Sequence, residues 1–173
     1  MGRLVTILFV PLVIATLTGL LAVVFPIRVM HLRATIMTVP VNALSLGLLT
    51  AVIFGIVVYL YRLSLVIPFF ILLFPMLLLA GLVVLLAAAL GWVAVCEIIG
   101  RILLAKAGQI SEPMLYAMLG AGALSMGGLL LSLVPLFAGI VVLVQFTLLL
   151  VGLGASILTR VGQNTYPPIV VIL

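Results

Sequence analysis

Long apolar runs, broken by short clusters that hold proline, glycine and single cations, dominate this chain. A run of about 18 or more apolar residues in a helix is long enough to cross the roughly 30 Å hydrocarbon core of a bilayer. The first run extends from about Leu4 to Phe25, has Pro11 as a kink site and stops at Pro26. The second runs from about Asn42 to Tyr61, and Tyr59, Tyr61 and Arg62 close it as anchors at the headgroups.

Residues 63–105 exceed one ordinary span yet hold no polar turn that would divide them. The pattern favours an apolar entry at Ile67-Pro68, then one long tilted helix from about Phe69 to Ala105, kinked near Pro75. Its last turns, from Glu97 to Lys106, emerge into the headgroups. The alternative is a helical hairpin turning near Gly81. Such a turn leaves backbone groups unsatisfied in lipid unless other protein covers them.

A polar loop follows at Gly108–Pro113, with Ser111 placed to cap the next helix and Glu112 and Pro113 in its first turn. A fourth span is expected from about Met114 to Val134, a tight uncharged turn over Pro135–Gly139, and a fifth span from about Ala138 to Leu158. The fourth and fifth then form a short-loop hairpin. The expected fold is an all-α polytopic transmembrane bundle of about five spans within residues 1–160, followed by a C-terminal tail over 161–173. That tail places Ile169–Leu173 after Pro167-Pro168, an apolar end suited to a membrane surface or a partner.

Residues 27–41 break the pattern. On a helix, Ile27, Met30 and Ala34 share one face, and Arg28, His31 and Thr35 cluster on another. This predicts a short amphipathic helix in the membrane interface, stopped by Pro40, with an irregular polar loop as the alternative.

Composition agrees with lipid as the solvent. Of the 173 residues, 68% are hydrophobic and 5% charged, against about 25% charged in soluble domains. The net charge is +5, but Arg3, Arg28, Arg33, Arg62, Arg101, Lys106 and Arg160 sit singly near the ends of apolar runs. They form no basic stripe, which argues against nucleic acid as a partner. With five spans, Arg28, Arg33, Arg101, Lys106 and Arg160 share one side, and Arg3 and Arg62 the other. The positive-inside rule then puts the N-terminus outside and the C-terminus in the cytoplasm. Two spans within 63–105 would reverse this. The first run is too long for a signal peptide core and lacks a small-x-small cleavage site, so it reads as a retained span.

Chemistry has few candidates. There are two acids, one histidine and no aspartate, too few for general acid–base or metal-dependent catalysis. No cofactor is expected, although lipid or pigment fits between such helices. Glu97 and Arg101, four residues apart with the acid first, suit an ion pair within one helix. Arg28, His31 and Arg33 read as interface anchors. Cys96 reads as a small buried apolar residue. Gln145, mid-span, suits a hydrogen bond between helices. Small residues concentrate in the last two spans, at Gly120, Gly122, Gly127, Gly128 and Gly152, with Gly152 and Ser156 spaced small-xxx-small. They predict tight packing within the C-terminal hairpin or against a partner.

Several motifs occur in a familiar order: Phe25-Pro26, Gly47-Leu48-Leu49, Ile67-Pro68, Gly91-Trp92-Val93-Ala94, Gly100-Arg101, Val134-Pro135 with Gly139, and Gly152-Leu153-Gly154-Ala155. Over roughly residues 20–160 the chain resembles a bacterial membrane domain of unknown function, of the kind appended to bactofilin-like polymer-forming proteins. The resemblance implies a membrane anchor or scaffold and supplies no catalytic residue. No soluble domain precedes the first span here, so a cytoskeletal role does not carry over.

These readings lead to a non-enzymatic structural or accessory subunit of a larger bacterial inner-membrane assembly, energy-transducing, photosynthetic or transporting. Its partners would be other integral membrane proteins and lipids. A small homo-oligomeric transporter or channel, with Glu97 and Gln145 along its path, is the alternative.

Overall fold

The computed structural model describes residues 2–64, 74–105 and 112–164. Their regular structure is entirely helical: α1 (Gly2–Val24), α2 (Pro26–Thr38), α3 (Pro40–Ser64), α4 (Phe74–Ala105), α5 (Pro113–Ser132) and α6 (Pro135–Leu158). Four of these, α3 to α6, are long and apolar enough to cross a membrane, and a fifth span is present if α1 and α2 count as one bent pair. The chain is an all-α polytopic bundle.

Proline sets most of the helix starts. Pro26, Pro113 and Pro135 each occupy the first turn of their helix, where the missing N–H costs nothing and the fixed φ favours helical entry. This corrects two boundaries. The hairpin turn is only Leu133–Val134, and Pro135–Gly139 already belong to α6. Pro75 is the second described residue of α4, and the chain on the other side of the expected kink, residues 69–73, lies outside the described residues. Pro40 opens α3 at the break after α2, making α3 longer than the expected 42–61.

Helix α4 is continuous from Phe74 to Ala105, through Gly81. The hairpin alternative is therefore not formed. Residues 69–73, Lys106, Ser111 and the apolar end 169–173 lie outside the described residues. The cap position of α5 is held by Glu112, whose side chain makes no capping bond. Helix α1 continues through the buried Pro11.

Helix α4 is central. Its most apolar stretch is 33% buried, against 11% for α3. The most extensive contacts are α4 with α5, α3 with α6, α1 with α5, and α4 with α6. The buried core joins Ala22, Val29, Leu32, Ala43, Leu90, Val93, Ala94, Ala117 and Ala155. Large apolar side chains such as Phe9, Leu60, Leu85, Leu136 and Phe146 face outward, a surface matched to hydrocarbon rather than to water.

At Phe25 the chain turns by 103°, so α2 lies across one end of the bundle. It packs on α4, α6 and α3. The expected apolar face, Ile27, Met30 and Ala34, is exposed. A second apolar face, Val29 and Leu32 with Thr35, is buried under protein. Thr35 therefore leaves the polar face assigned to it; its hydroxyl donates back to the His31 carbonyl at 3.1 Å, which lets it be buried without an orphaned donor. The pattern of residues 27–41 does not disclose this second face, because Thr35 interrupts it in the sequence.

Candidate functional site

The charged residues of α2 and α4 converge where α2 crosses the bundle. Glu97, in the C-terminal third of α4, is only 3% exposed. Its Oε1 accepts from Arg33 Nη1 at 2.7 Å, from Arg101 Nε at 2.9 Å and from Arg101 Nη2 at 2.7 Å. The i,i+4 pair with Arg101 follows from helix spacing. The bond to Arg33 joins residues 64 positions apart and ties α2 to α4. Arg33, expected as a headgroup anchor, is thus turned inward to the carboxylate.

A carboxylate buried this deeply is tolerated only with charged, hydrogen-bonded partners. Both partners keep some contact with the surroundings, with side-chain exposures of 25% for Arg33 and 41% for Arg101. Arg101 also lies over the Tyr116 ring of α5, its guanidinium carbon 4.7 Å from the centroid. The cluster therefore links α2, α4 and α5.

Beside it lies a cavity of about 220 Å³, lined by Ala22, Pro26, Ile27, Val29, Met30, Arg33, Glu97, Arg101 and Pro113. Its polar wall is the ion cluster, and the rest is apolar.

A second junction holds the end of α6. After Leu158 the backbone enters the left-handed region at Arg160 (φ 50°), Val161 (φ 61°) and Gly162 (φ 76°). Thr159 Oγ1 accepts from the Gly162 N–H at 2.9 Å. The Gly162 carbonyl lies 3.0 Å from His31 Nδ1, which places the donor on that ring nitrogen. Arg28 packs against Gly162 and stacks over Phe25 at 5.3 Å. His31 and Arg28 thus hold the segment after α6 to α2. Tyr59 and Arg62 are exposed and Tyr61 half-buried, all near the C-terminal end of α3.

The small residues divide into two groups. Gly120 faces the main chain at Cys96 and Gly100 of α4, and Gly152 faces Gly91 of α4. Ser156 Oγ donates across to the Ala87 carbonyl at 2.7 Å. The tight main-chain contacts of α5 and α6 are therefore with α4 and α3 of the same chain, rather than mainly within the C-terminal hairpin, the first of the two expected places. Gly128 does meet the Gln145 amide across the hairpin. Gly122, Gly127 and Gly139 have open space where a side chain would be. Gly127, Gly128 and Gln145 line a shallow cavity of about 250 Å³ between α5 and α6.

Attention to the last two spans alone missed the partners of these glycines. Gly47 faces the Leu150 carbonyl and Gly154 the Ala43 carbonyl; Gly100 faces Tyr116. The spacing Ala43-xxx-Gly47 and Cys96-xxx-Gly100 carries the same small-xxx-small signal and marks both crossings. Arg33 had no such signal, since its partner is distant in sequence.

The arrangement can hold helices together and attract an anion. Among the described residues, no three of His, Cys, Asp and Glu come together to hold a metal ion. Glu97 and Gln145 line separate cavities. No family model matches the chain, and no curated protein or solved structure matches it.

Proposed function

We propose that this protein is a non-enzymatic structural or accessory subunit of a larger assembly in a bacterial inner membrane. The observation that carries this reading is the state of Glu97. It is the buried acid among the described residues, and all its described bonds go to arginines that fasten helices. A carboxylate acting as a base or carrying a proton needs access to its substrate or to a proton path. This one is spent on tying α2 to α4.

The subunit role draws on the open glycines. Small residues inside membrane helices let another helix approach closely. Gly122 and Gly127 of α5 and Gly139 of α6 leave open space where a β-carbon would be. The resemblance to a membrane anchor domain points the same way. So does the concentration of Arg28, Arg33 and Arg101 around α2 and the end of α4, which by the positive-inside rule would face the cytoplasm.

Purification in mild detergent tests the reading. Larger membrane proteins should co-migrate with the chain and be lost from a Gly127→Leu variant. Migration as a lone monomer, in every mild detergent and after cross-linking in membranes, would overturn it.

A further inference from the structure

The cavity beside Glu97 is positively biased. Arg33 and Arg101 contribute two positive charges and Glu97 one negative, a sum of +1. Each guanidinium carries about five N–H donors, and Glu97 takes one from Arg33 and two from Arg101. Two helix N-termini also close the cavity: Pro26 opens α2 and Pro113 opens α5. The first turn of a helix leaves N–H groups without intrahelical partners and adds partial positive charge. Glu112, one residue outside the wall, is exposed, where mobile ions screen it.

The other walls are apolar. Ile27 and Met30 are 66% and 51% exposed at the mouth, and Ala22 and Val29 form the back. An occupant must therefore be anionic at one end and apolar at the other. The cavity sits at the elbow where α1 turns by 103° into α2; with α1 counted as a span, that elbow falls where the helix leaves the hydrocarbon for the headgroups.

We propose that this cavity seats the phosphate-bearing headgroup of an anionic membrane lipid, with its acyl chain passing over Ile27 and Met30. The inference rests on the helices spanning a bilayer. The phosphate oxygens take guanidinium donors that Glu97 leaves over, and the charge of the lipid neutralises the remaining +1.

Native mass spectrometry of the full chain, delipidated and then offered phosphatidylglycerol or phosphatidylcholine of identical acyl chains, tests it. The expected result is about tenfold preference for phosphatidylglycerol, the ratio that about 1.4 kcal/mol supports. Ile27→Trp, which fills the mouth without touching the ion cluster, should remove the preference at an unchanged thermal midpoint. Glu97→Gln, which raises the sum from +1 to +2, should increase retention of phosphatidylglycerol and keeps the test valid if the tryptophan variant does not fold. Equal retention of both lipids by the wild-type chain overturns the proposal. So does displacement of bound lipid by inorganic phosphate at equal concentration, which would make the cavity a site for free oxyanions. A chain that inserts into liposomes of neither lipid fails at the earlier step, and that outcome overturns the membrane reading itself.

Discussion

Gly91 of α4 and Gly152 of α6 meet main chain against main chain, and a β-carbon on either would overlap the backbone of the other. Lipid supplies no hydrophobic drive for two helices to associate, so close dispersion contact and weak hydrogen bonds must hold them. Ser156 adds a conventional bond here, from its hydroxyl to Ala87 of α4. Gly91→Val and Gly152→Val should each lower stability by about 1–3 kcal/mol or more, the usual cost of overpacking. Reversible unfolding in mixed micelles measures this. Wild-type midpoints for both variants would show that α4 and α6 do not cross at this point.

The Glu97 cluster should respond unequally to loss of its two arginines. Arg101 is on the same helix and is 41% exposed, and helical pairs of that kind contribute about 0.3–0.5 kcal/mol. Its stacking on Tyr116 adds about 0.5–1 kcal/mol. Arg33 ties one helix to another and is less exposed, so its charged hydrogen bond is the larger, about 1.5–3 kcal/mol. Arg33→Ala is expected to destabilise more than Arg101→Ala, and to raise hydrogen exchange in α2 selectively. The reverse order of stability would mean that α2 is held by its apolar face alone.

Much of this architecture was legible in the residues, because lipid imposes a simple rule: backbone groups must be sealed inside helices. The run from about Phe69 to Ala105 reads as one helix for that reason, and over its described part, Phe74–Ala105, Gly81 does not divide it. The break after Phe25 was likewise marked, by Pro26. Helix partners were less legible. Ser156 announced a close approach through its spacing from Gly152, yet spacing does not say which helix will approach, and here it was α4. Arg33 was harder still. A cation near a helix end satisfies the same local rules whether it faces headgroups or a buried acid, and only the 103° turn brings it to Glu97. The inner face of α2 was masked by Thr35, whose polarity is cancelled by a bond to its own helix.

Gly162 should tolerate no side chain. Its φ of 76° is left-handed, and an added β-carbon would press on Arg28. Left-handed backbone costs an L-residue roughly 1–2 kcal/mol. Gly162→Ala should therefore release the segment after α6 from α2, and His31→Ala should do so more weakly by removing the ring partner of the Gly162 carbonyl. Trypsin cleavage after the exposed Arg160 provides the measurement. Faster cleavage is expected in both variants, with alanine at 162 the faster; equal rates in all three proteins would argue that this junction does not hold the segment.

Sidedness can be read with thiol reagents. Cys96 is buried, and Cys96→Ala gives a background for single cysteines at Phe137 and Gln163, near the two ends of α6. An impermeant maleimide added to spheroplasts should label Phe137→Cys and leave Gln163→Cys unlabelled until lysis. This outcome follows if the end bearing Arg28, Arg33 and Arg101 faces the cytoplasm. Labelling of Gln163→Cys alone would reverse the orientation, and labelling of both would mean that α6 does not span.

Gly120 and Gly127 lie on the same helix, yet they should behave differently. Gly120 touches the main chain of α4 at Cys96, whereas Gly127 has open space around it. Gly120→Leu must push two helices apart, with a loss of about 1–3 kcal/mol expected from overpacking. A β-carbon at Gly127 meets nothing and the rest of a leucine can lie in the open groove beside it, so the isolated protein should keep its midpoint to within about 0.5 kcal/mol, as surface substitutions do. In membranes the same substitution should reduce recovery of co-purifying proteins severalfold, because it fills the face on which another helix would rest. Detergent midpoints paired with quantitative co-purification separate these effects. If Gly127→Leu left every associated protein in place, the open face of α5 would be a lipid surface, and the subunit contact would have to lie on another helix, with the sparsely covered α3 as the next to test.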